Sequence, residues 1–461
     1  MPIAPDVQQQ FREILSDSNM LTAAADVWPY GYDNSKLHHA PDLVALPISH
    51  DQIIDCVNLC NKHSIPLTTR GRGTGTTGAS VPLKGGVVLS LERMNNVIEF
   101  DAGNRSVRVE AGITNQELQN YLARYNFFWA PDPSSAEYCT VGGNLACNAA
   151  GPRAIKYGTT RDNTLQLKAV TGDGKTITTG TRTSKGVVGL DLTRLIIGSE
   201  GILAIISEAE LKVLPLPPHK MLFRSLYQSH QSACEAIQHL TAQIHSPCAI
   251  EFMDHHALEL IHQYGDIDIP ESAHAMLMVE LDGDEQSLAV SAPQIEQALD
   301  NSGLVESRSA ATEEDKKDLW AARKSLSPIL RNFAPNKINE DVVVPIPKLS
   351  LLIDTLDRLS RQFQIPIVNF GHAGNGNLHV NLLYDADDST QNINAQACLE
   401  AVFSAVLELG GTLSGEHGVG IMKRDYIARE LGEDEIDLMR KIKKQFDPKG
   451  ILNPDKGLPL T

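Results

Sequence analysis

Arg70-Gly71-Arg72-Gly73-Thr74-Gly75-Thr76-Thr77-Gly78 is the stretch on which the fold turns. Its last part, Gly73 to Gly78, matches G-x-G-x-x-G letter for letter, the fingerprint of a dinucleotide-binding Rossmann unit. Such a unit needs a helix starting at the loop and an acidic residue about twenty positions further on. Here Ala79-Ser80-Val81-Pro82-Leu83-Lys84-Gly85-Gly86 follows, which is no helix, and Glu92 comes too soon. A nicotinamide-binding Rossmann fold is therefore set aside. The loop still carries chemistry. It follows an expected strand at 65–69, and its glycines let the backbone turn sharply and present successive N–H groups to an anion. A pyrophosphate is the obvious guest. An ordinary glycine-rich connection is the alternative that the loop by itself leaves open.

Outward from the loop, helix and strand patterns alternate. Residues 1–45 read as an N-terminal helix and an irregular lead-in. Ser49 with Gln52 makes a capping-box signature, and Ile53, Ile54, Val57 and Cys60 then form one face of a helix. Strands are expected at 65–69, 86–91 and 105–110, a helix at 114–125, and further strands at 165–171, 176–179 and 202–214. Leu214-Pro215-Leu216-Pro217-Pro218 marks a domain boundary. Beyond it, helices are expected at 229–244, 313–330, 348–363 and 395–409, and strands at 274–281, 342–345 and 378–383. A helix rich in Lys and Arg and a tail punctuated by Pro and Gly close the chain. There is no internal repeat and no low-complexity tract.

Composition narrows the function. The chain has 461 residues, 42% apolar and 21% charged, the profile of an ordinary globular protein. A net charge of -17 argues against a nucleic-acid footprint or a polybasic membrane patch. An anionic substrate must then be met by a local cluster of Arg or Lys. Seven irregularly spaced cysteines read as reduced thiols of a cytosolic protein, with no run that would carry an iron–sulfur cluster. The start, Met1-Pro2-Ile3-Ala4-Pro5-Asp6, does not read as a signal peptide. No apolar run reaches the ~18 residues a membrane span needs.

A second stretch carries reactive groups: His372-Ala373-Gly374-Asn375-Gly376-Asn377-Leu378-His379, with Gly415-Glu416-His417-Gly418 about forty residues on. Gly374 and Gly376 allow a tight loop. On the strand expected at 378–383, His379 and Asn381 point to one face, because side chains repeat every second residue. Two imidazoles and a carboxylate with open positions suit Zn²⁺, Mn²⁺ or Fe²⁺. His372, His379 and Glu416 are the expected ligands. Adjacent residues seldom ligate one ion comfortably, so His417 is read as a general base, for which an imidazole pKa of about 6.5 is suited. On the helix expected at 313–330, Arg323 and Ser327 share a face at i, i+4. A guanidinium there can hold a carboxylate through two parallel hydrogen bonds. Lys337 follows just before Glu340-Asp341-Val342-Val343-Val344-Pro345.

The glycine loop is followed in order by Pro131-Asp132-Pro133-Ser134-Ser135, Thr140-Val141-Gly142-Gly143-Asn144, Tyr157-Gly158 with Arg161-Asp162, and Gly198-Ser199-Glu200-Gly201. This succession, over residues 40–216, resembles the FAD-linked oxidases of the vanillyl-alcohol-oxidase or PCMH type. Asn369 to His379, Ser414 to Gly420 and the C-terminal Pro448-Lys449-Gly450-Ile451-Leu452-Asn453-Pro454 narrow the resemblance. They are similar to the D-2-hydroxyacid dehydrogenase branch, which holds D-lactate and D-2-hydroxyglutarate dehydrogenases and the glycolate oxidase flavin subunit.

The resemblance implies an α+β fold: an FAD-binding domain of two subdomains over 1–216 and a cap domain with an antiparallel sheet over 217–415. Residues 416–461 would return to the FAD domain. It implies noncovalent FAD, since no His stands in the glycine loop. The cofactor would be held by Arg70 to Thr77, Pro131, Asp132, Thr140 to Asn144 (including Val141, Gly142 and Gly143), Tyr157, Gly158, Glu200, Gly201, Ile202 and Asn453. It implies a divalent metal, Zn²⁺ before Mn²⁺ or Fe²⁺, on His372, His379 and Glu416, with His417 as base. Arg323, Ser327, Lys337 and Asn381 would meet the substrate. One departure stands out: Asn375 occupies a position where the branch usually carries Asp.

The expected activity is oxidation of D-lactate to pyruvate, with D-2-hydroxyglutarate and then glycolate as runners-up. Electrons would pass to a quinone, a cytochrome or an electron-transfer flavoprotein. A homodimer and peripheral attachment to the inner membrane of an otherwise cytoplasmic protein are left open. A non-catalytic flavin-binding subunit is the competing class. It would be expected to have lost the base or a ligand, whereas His372, His379, Glu416 and His417 are all present. A metallohydrolase would leave the pattern at 70–201 unexplained.

Overall fold

The computed structural model describes residues 3–264, 269–310 and 312–460; within the helix Glu313–Phe333, the side chains at 313, 318, 321–325, 327 and 328 lie outside the described ones. The chain forms two compact units. The first comprises Met1–Gly151, Gly158–Leu216 and Glu416–Thr461, and the second Pro152–Tyr157 and Pro217–Gly415.

Among the described residues of the first unit, one sheet has the order Met20–Leu21, Leu43–Ala45, Val87–Ser90, Leu67–Arg70. Its last three strands run parallel and are almost wholly buried, as parallel strands covered on both faces must be. The helix His50–His63 leads into Leu67–Arg70. Ser49 caps it by accepting from Gln52 N, and Ile53, Cys56, Val57 and Cys60 are buried. The second sheet is antiparallel, in the order Val97–Asp101, Ser106–Glu110, Ala204–Lys212, Thr164–Thr171, Thr176–Gly180. The strand expected at 202–214 stops at Lys212, and Leu214–Pro215 pairs instead with Phe127–Phe128. The C-terminal segment is sewn into this unit. Leu67 N donates to Ile451 O, Asn453 N donates to Leu67 O, and Asn453 Oδ1 accepts from Thr69 N.

The second unit is built on an antiparallel sheet in the order Leu304–Ala310, His219–Tyr227, Ala275–Gly283, Ala249–Met253, Ile367–Gly371, Asn377–Tyr384, Asn336–Val343. Ala249–Met253 and Ile367–Gly371 are buried at every position. A strand covered on both faces loses the polar–apolar alternation that marks a strand in sequence, and neither was expected. Asn336–Val343 was expected only at its apolar end. Its first part, Asn336-Lys337-Ile338-Asn339-Glu340-Asp341, is too polar to read as a strand. The helices His255–Tyr264 and Glu313–Phe333 share one apolar cluster with Val368, Phe370 and Leu383, which fixes the sheet face they cover.

No helix among the described residues is long and apolar enough to cross a membrane. The seven cysteines form no disulfide.

Candidate functional site

In the first unit, residues 69–76, Thr140, Gly142, Gly143, Asn144, Ser199, Glu200 and Gly201 line one cavity together with Asp33, Asn34, Glu416, His417 and Asn453. The loop is tight for steric reasons. Gly73 has φ +68°, and a Cβ there would sit 2.1 Å from an Arg70 guanidinium nitrogen. Arg70 spends that guanidinium on the carbonyls of Tyr32 (2.7 Å) and Pro29 (3.4 Å), so it braces the loop. The backbone amides of residues 72–76 donate to no backbone or side-chain acceptor among the described residues. Unpaired successive N–H groups on a turn make a concave anion site, and this is the feature that fits a pyrophosphate.

The stretch Thr140 to Asn144 is built differently from the loop. It opens the helix Val141–Cys147, and its amides are satisfied internally. Val141 N donates to Ile113 O, Gly142 N to Ala111 O, Gly143 N to Thr140 Oγ1 and Asn144 N to Thr140 O. It therefore gives the cavity shape rather than donors. Thr77, Pro131, Asp132, Val141, Gly158 and Ile202 are not among the lining residues. Tyr157 belongs to the second unit, where its hydroxyl donates to Asp282 at 2.7 Å.

Glu200 does more than expected of a cofactor contact. Its carboxylate is buried and accepts from Val419 N and Gly420 N (2.9–3.2 Å) and from Thr77 Oγ1 (3.4 Å). Its carbonyl accepts from Asn453 Nδ2 at 2.6 Å. Thr77 O in turn accepts from Ile421 N and Met422 N, and Thr77 Oγ1 donates to His417 O at 3.5 Å. The segment carrying His417 is thus stitched to the glycine loop through Glu200 and Thr77. Burial raises the Glu200 pKa, and the two backbone amides oppose this. Burial pushes Lys456 down to about 7, against the pull of Asp33 and Glu200. Its ammonium donates to Thr68 Oγ1 at 3.2 Å.

In the second unit, Gly371 ends one strand and Asn377 begins the next, and the turn between them carries His372. The His372 and His379 rings stand edge to face with centroids 5.1 Å apart, both buried. His372 Nδ1 lies 2.5 Å from the buried Glu251 carboxylate. With Nδ1 held by a carboxylate, the nitrogen that can serve as ligand is Nε2, and this pairing is the usual support of a metal-bound histidine. The donor set fits a divalent ion on that ground. His379 faces Asp341 and Phe370 across the sheet. Asp341 is fully buried and accepts from Gly415 N (2.9 Å) and Ser414 Oγ (3.2 Å), which fixes the segment that Glu416 continues by one peptide bond.

Lys337, Asn339 and Asp341 lie on the same sheet face as His379 and Asn381. Asn381 gives both its N–H groups to the carbonyls of Val368 and His379, and its Oδ1 accepts from Asn339 at 2.6 Å. What it can offer a ligand is a single lone pair. The helix Glu313–Phe333 packs on that face, but the side chains of Arg323 and Ser327 lie outside the described residues. Asn375 is exposed at the turn, so its missing charge falls at the surface. Glu251 was missed by sequence reasoning, although a lone carboxylate in the apolar run Ala249–Met253 was a signal. Asp33 and Asn34 carried none.

A model of the FAD linked oxidase C-terminal domain matches residues 216–457, and an FAD binding domain model matches residues 41–180. The chain is 35% identical to the glycolate oxidase subunit GlcD of Bacillus subtilis, over 98% of this chain and 97% of that protein. The chain belongs to the FAD-linked oxidase family. This FAD-linked oxidase is also 31% identical to a D-lactate dehydrogenase of Anaerostipes hadrus, over 98% of this chain and 97% of that one. Among solved structures, p-cresol methylhydroxylase with substrate bound matches with a TM-score of 0.82 at 18% identity, covering 98% of this chain and 96% of the other. That likeness shows the fold, α+β of the PCMH type, as the sequence implied. As a member of this family the protein is a flavin-linked oxidoreductase.

Proposed function

We propose that this oxidase converts a D-2-hydroxyacid, D-lactate first, to the 2-oxoacid, using noncovalent FAD and a divalent ion on His372, His379 and Glu416. The observation that carries the reading is the His372–Glu251 pair beside His379, because a carboxylate behind a buried imidazole prepares that imidazole for a metal. The unpaired amides at 72–76 support FAD in the first unit. When bound, the ion supplies Lewis acidity that lowers the substrate hydroxyl pKa, and FAD supplies the hydride acceptor.

The chain's own residues do the rest. His417 takes the hydroxyl proton on a ring nitrogen. Arg323, with Ser327, holds the substrate carboxylate and sets its orientation, and Lys337 adds positive charge on the face that carries His379. Asn381 keeps His379 in place through the strand backbone. Glu200 and Thr77 hold the backbone from His417 to Gly420 in register with the glycine loop. The electron acceptor would be a quinone, a cytochrome or an electron-transfer flavoprotein.

Glycolate is the second substrate reading, favoured by the similarity to the glycolate oxidase subunit. An anaerobic screen of D-lactate, D-2-hydroxyglutarate, glycolate and the L-isomers, read by flavin bleaching, separates them. D-Lactate is expected to bleach fastest, and prior removal of metal with a chelator to slow bleaching at least tenfold. Bleaching indifferent to the chelator would sink the metal's role.

A further inference from the structure

A second group of metal-ligating side chains lies in the second unit, away from the His372–His379 pair. His255 and His256 begin the helix His255–Tyr264, and Asp357 lies in the helix Leu349–Phe363. One ligand atom from each lies within 4.8 Å of the others. We propose that His255, His256 and Asp357 bind a divalent cation of the Zn²⁺, Ni²⁺ or Cu²⁺ class, independently of the redox chemistry.

Neighbouring helical residues project about 100° apart and seldom converge on one ion. These two lie close: their ring centroids are 3.9 Å apart with the planes tilted by 38°, and a ring nitrogen of each falls within the 4.8 Å span of the set. His256 Nδ1 is buried without a hydrogen-bond partner, so the ring carries an unmet polar atom next to the cluster. All three residues are half-buried, so water can complete the coordination sphere. Bonds of about 2.0–2.2 Å allow ligand atoms at most about 4.4 Å apart. A tetrahedral ion with such bonds sets its ligand atoms about 3.4 Å apart, so the three side chains draw together on binding. Asp354, one turn before Asp357, is occupied by His230 (3.0 Å) and Gln231 (3.1 Å) and adds negative charge from a distance. Two nitrogens and one oxygen select borderline divalent metals over Mg²⁺ or Ca²⁺. An ion here would tie the helix His255–Tyr264 to Leu349–Phe363.

The test uses the full-length, FAD-loaded protein, stripped with chelator and then dialysed against Zn²⁺. Bound zinc is counted by elemental analysis in the parent, in His256→Gln and in Asp357→Asn. Each variant should hold one ion fewer per chain than the parent while keeping its flavin and its rate of flavin reduction. Equal zinc in parent and variants overturns the proposal. Should both variants fail to fold, the parent protein still decides it. Zn²⁺ should shield His255 and His256 from diethyl pyrocarbonate, read by peptide mass spectrometry, and unchanged labelling of both histidines overturns the proposal.

Discussion

A histidine becomes a base or a ligand through what stands behind it. His372 has Glu251 at 2.5 Å, a buried carboxylate that orients the ring and raises its basicity. Glu251→Gln keeps the shape and removes the charge. Metal affinity, measured by competition with a chromophoric chelator, should fall about 10- to 100-fold, and an unchanged affinity would remove Glu251 from the account. His417 stands in the cofactor's unit instead. It is held there by its backbone carbonyl, through Thr77, and it lines the cavity. His417→Asn should therefore keep its flavin and fold, and slow anaerobic flavin reduction by D-lactate about 10²- to 10⁴-fold. Reduction at the parental rate would exclude the ring as the base. At this scale the sequence was most readable where residue types are rare and close together, as in His372 to His379. It was least readable where a partner is distant in the chain: Glu251 lies 121 positions from His372. Asn375 turned out to be a surface residue, which no spacing argument could tell.

The glycine loop and the helix Val141–Cys147 show how elements divide the work. The loop keeps its amides open, while the Thr140-capped helix consumes its own. Their glycines therefore differ in kind. Gly73→Ala puts a Cβ into the left-handed region and onto Arg70, and should cost roughly 1–3 kcal/mol of stability and most of the bound FAD. At Gly75 a Cβ would meet nothing within 4 Å. Gly75→Ala should melt within a degree or two of the parent, about what a surface substitution does, yet bind FAD more weakly, since the new methyl group enters the cradle. Thermal melting and flavin content together check both. If Gly75→Ala retains full affinity, the anion lies elsewhere. The loop was legible because glycine leaves a mark in the sequence. The strands Ala249–Met253 and Ile367–Gly371 were not, because complete burial erases their alternation, and Asn336–Val343 was hidden by the polar residues it lends to the His379 face.

At the scale of the chain, the order of residues and the order of packing part company. Glu416–Thr461 folds with the first unit, whose parallel strand Leu67–Arg70 it bridges at Leu452, and Asn453 joins Thr69 to Glu200. This closure buries Lys456 against Asp33 and Glu200 and lowers its pKa from 10.5 to about 7. The unfolded chain has no such burial and keeps the lysine protonated up to its ordinary value. Below pH 7 both states carry the proton, and the folded state bears the full cost of the buried charge. Between about pH 7 and 10 the unfolded state binds more protons than the folded one, so this residue makes stability rise with pH, by at most about 1.4 kcal/mol per pH unit. Urea unfolding of the flavin-loaded protein at a series of pH values should show that rise in the parent. Lys456→Met should flatten it, with the two proteins differing most at pH 7 and below. Equal slopes would mean that Lys456 keeps an ordinary pKa and that the C-terminal closure leaves its ammonium in water.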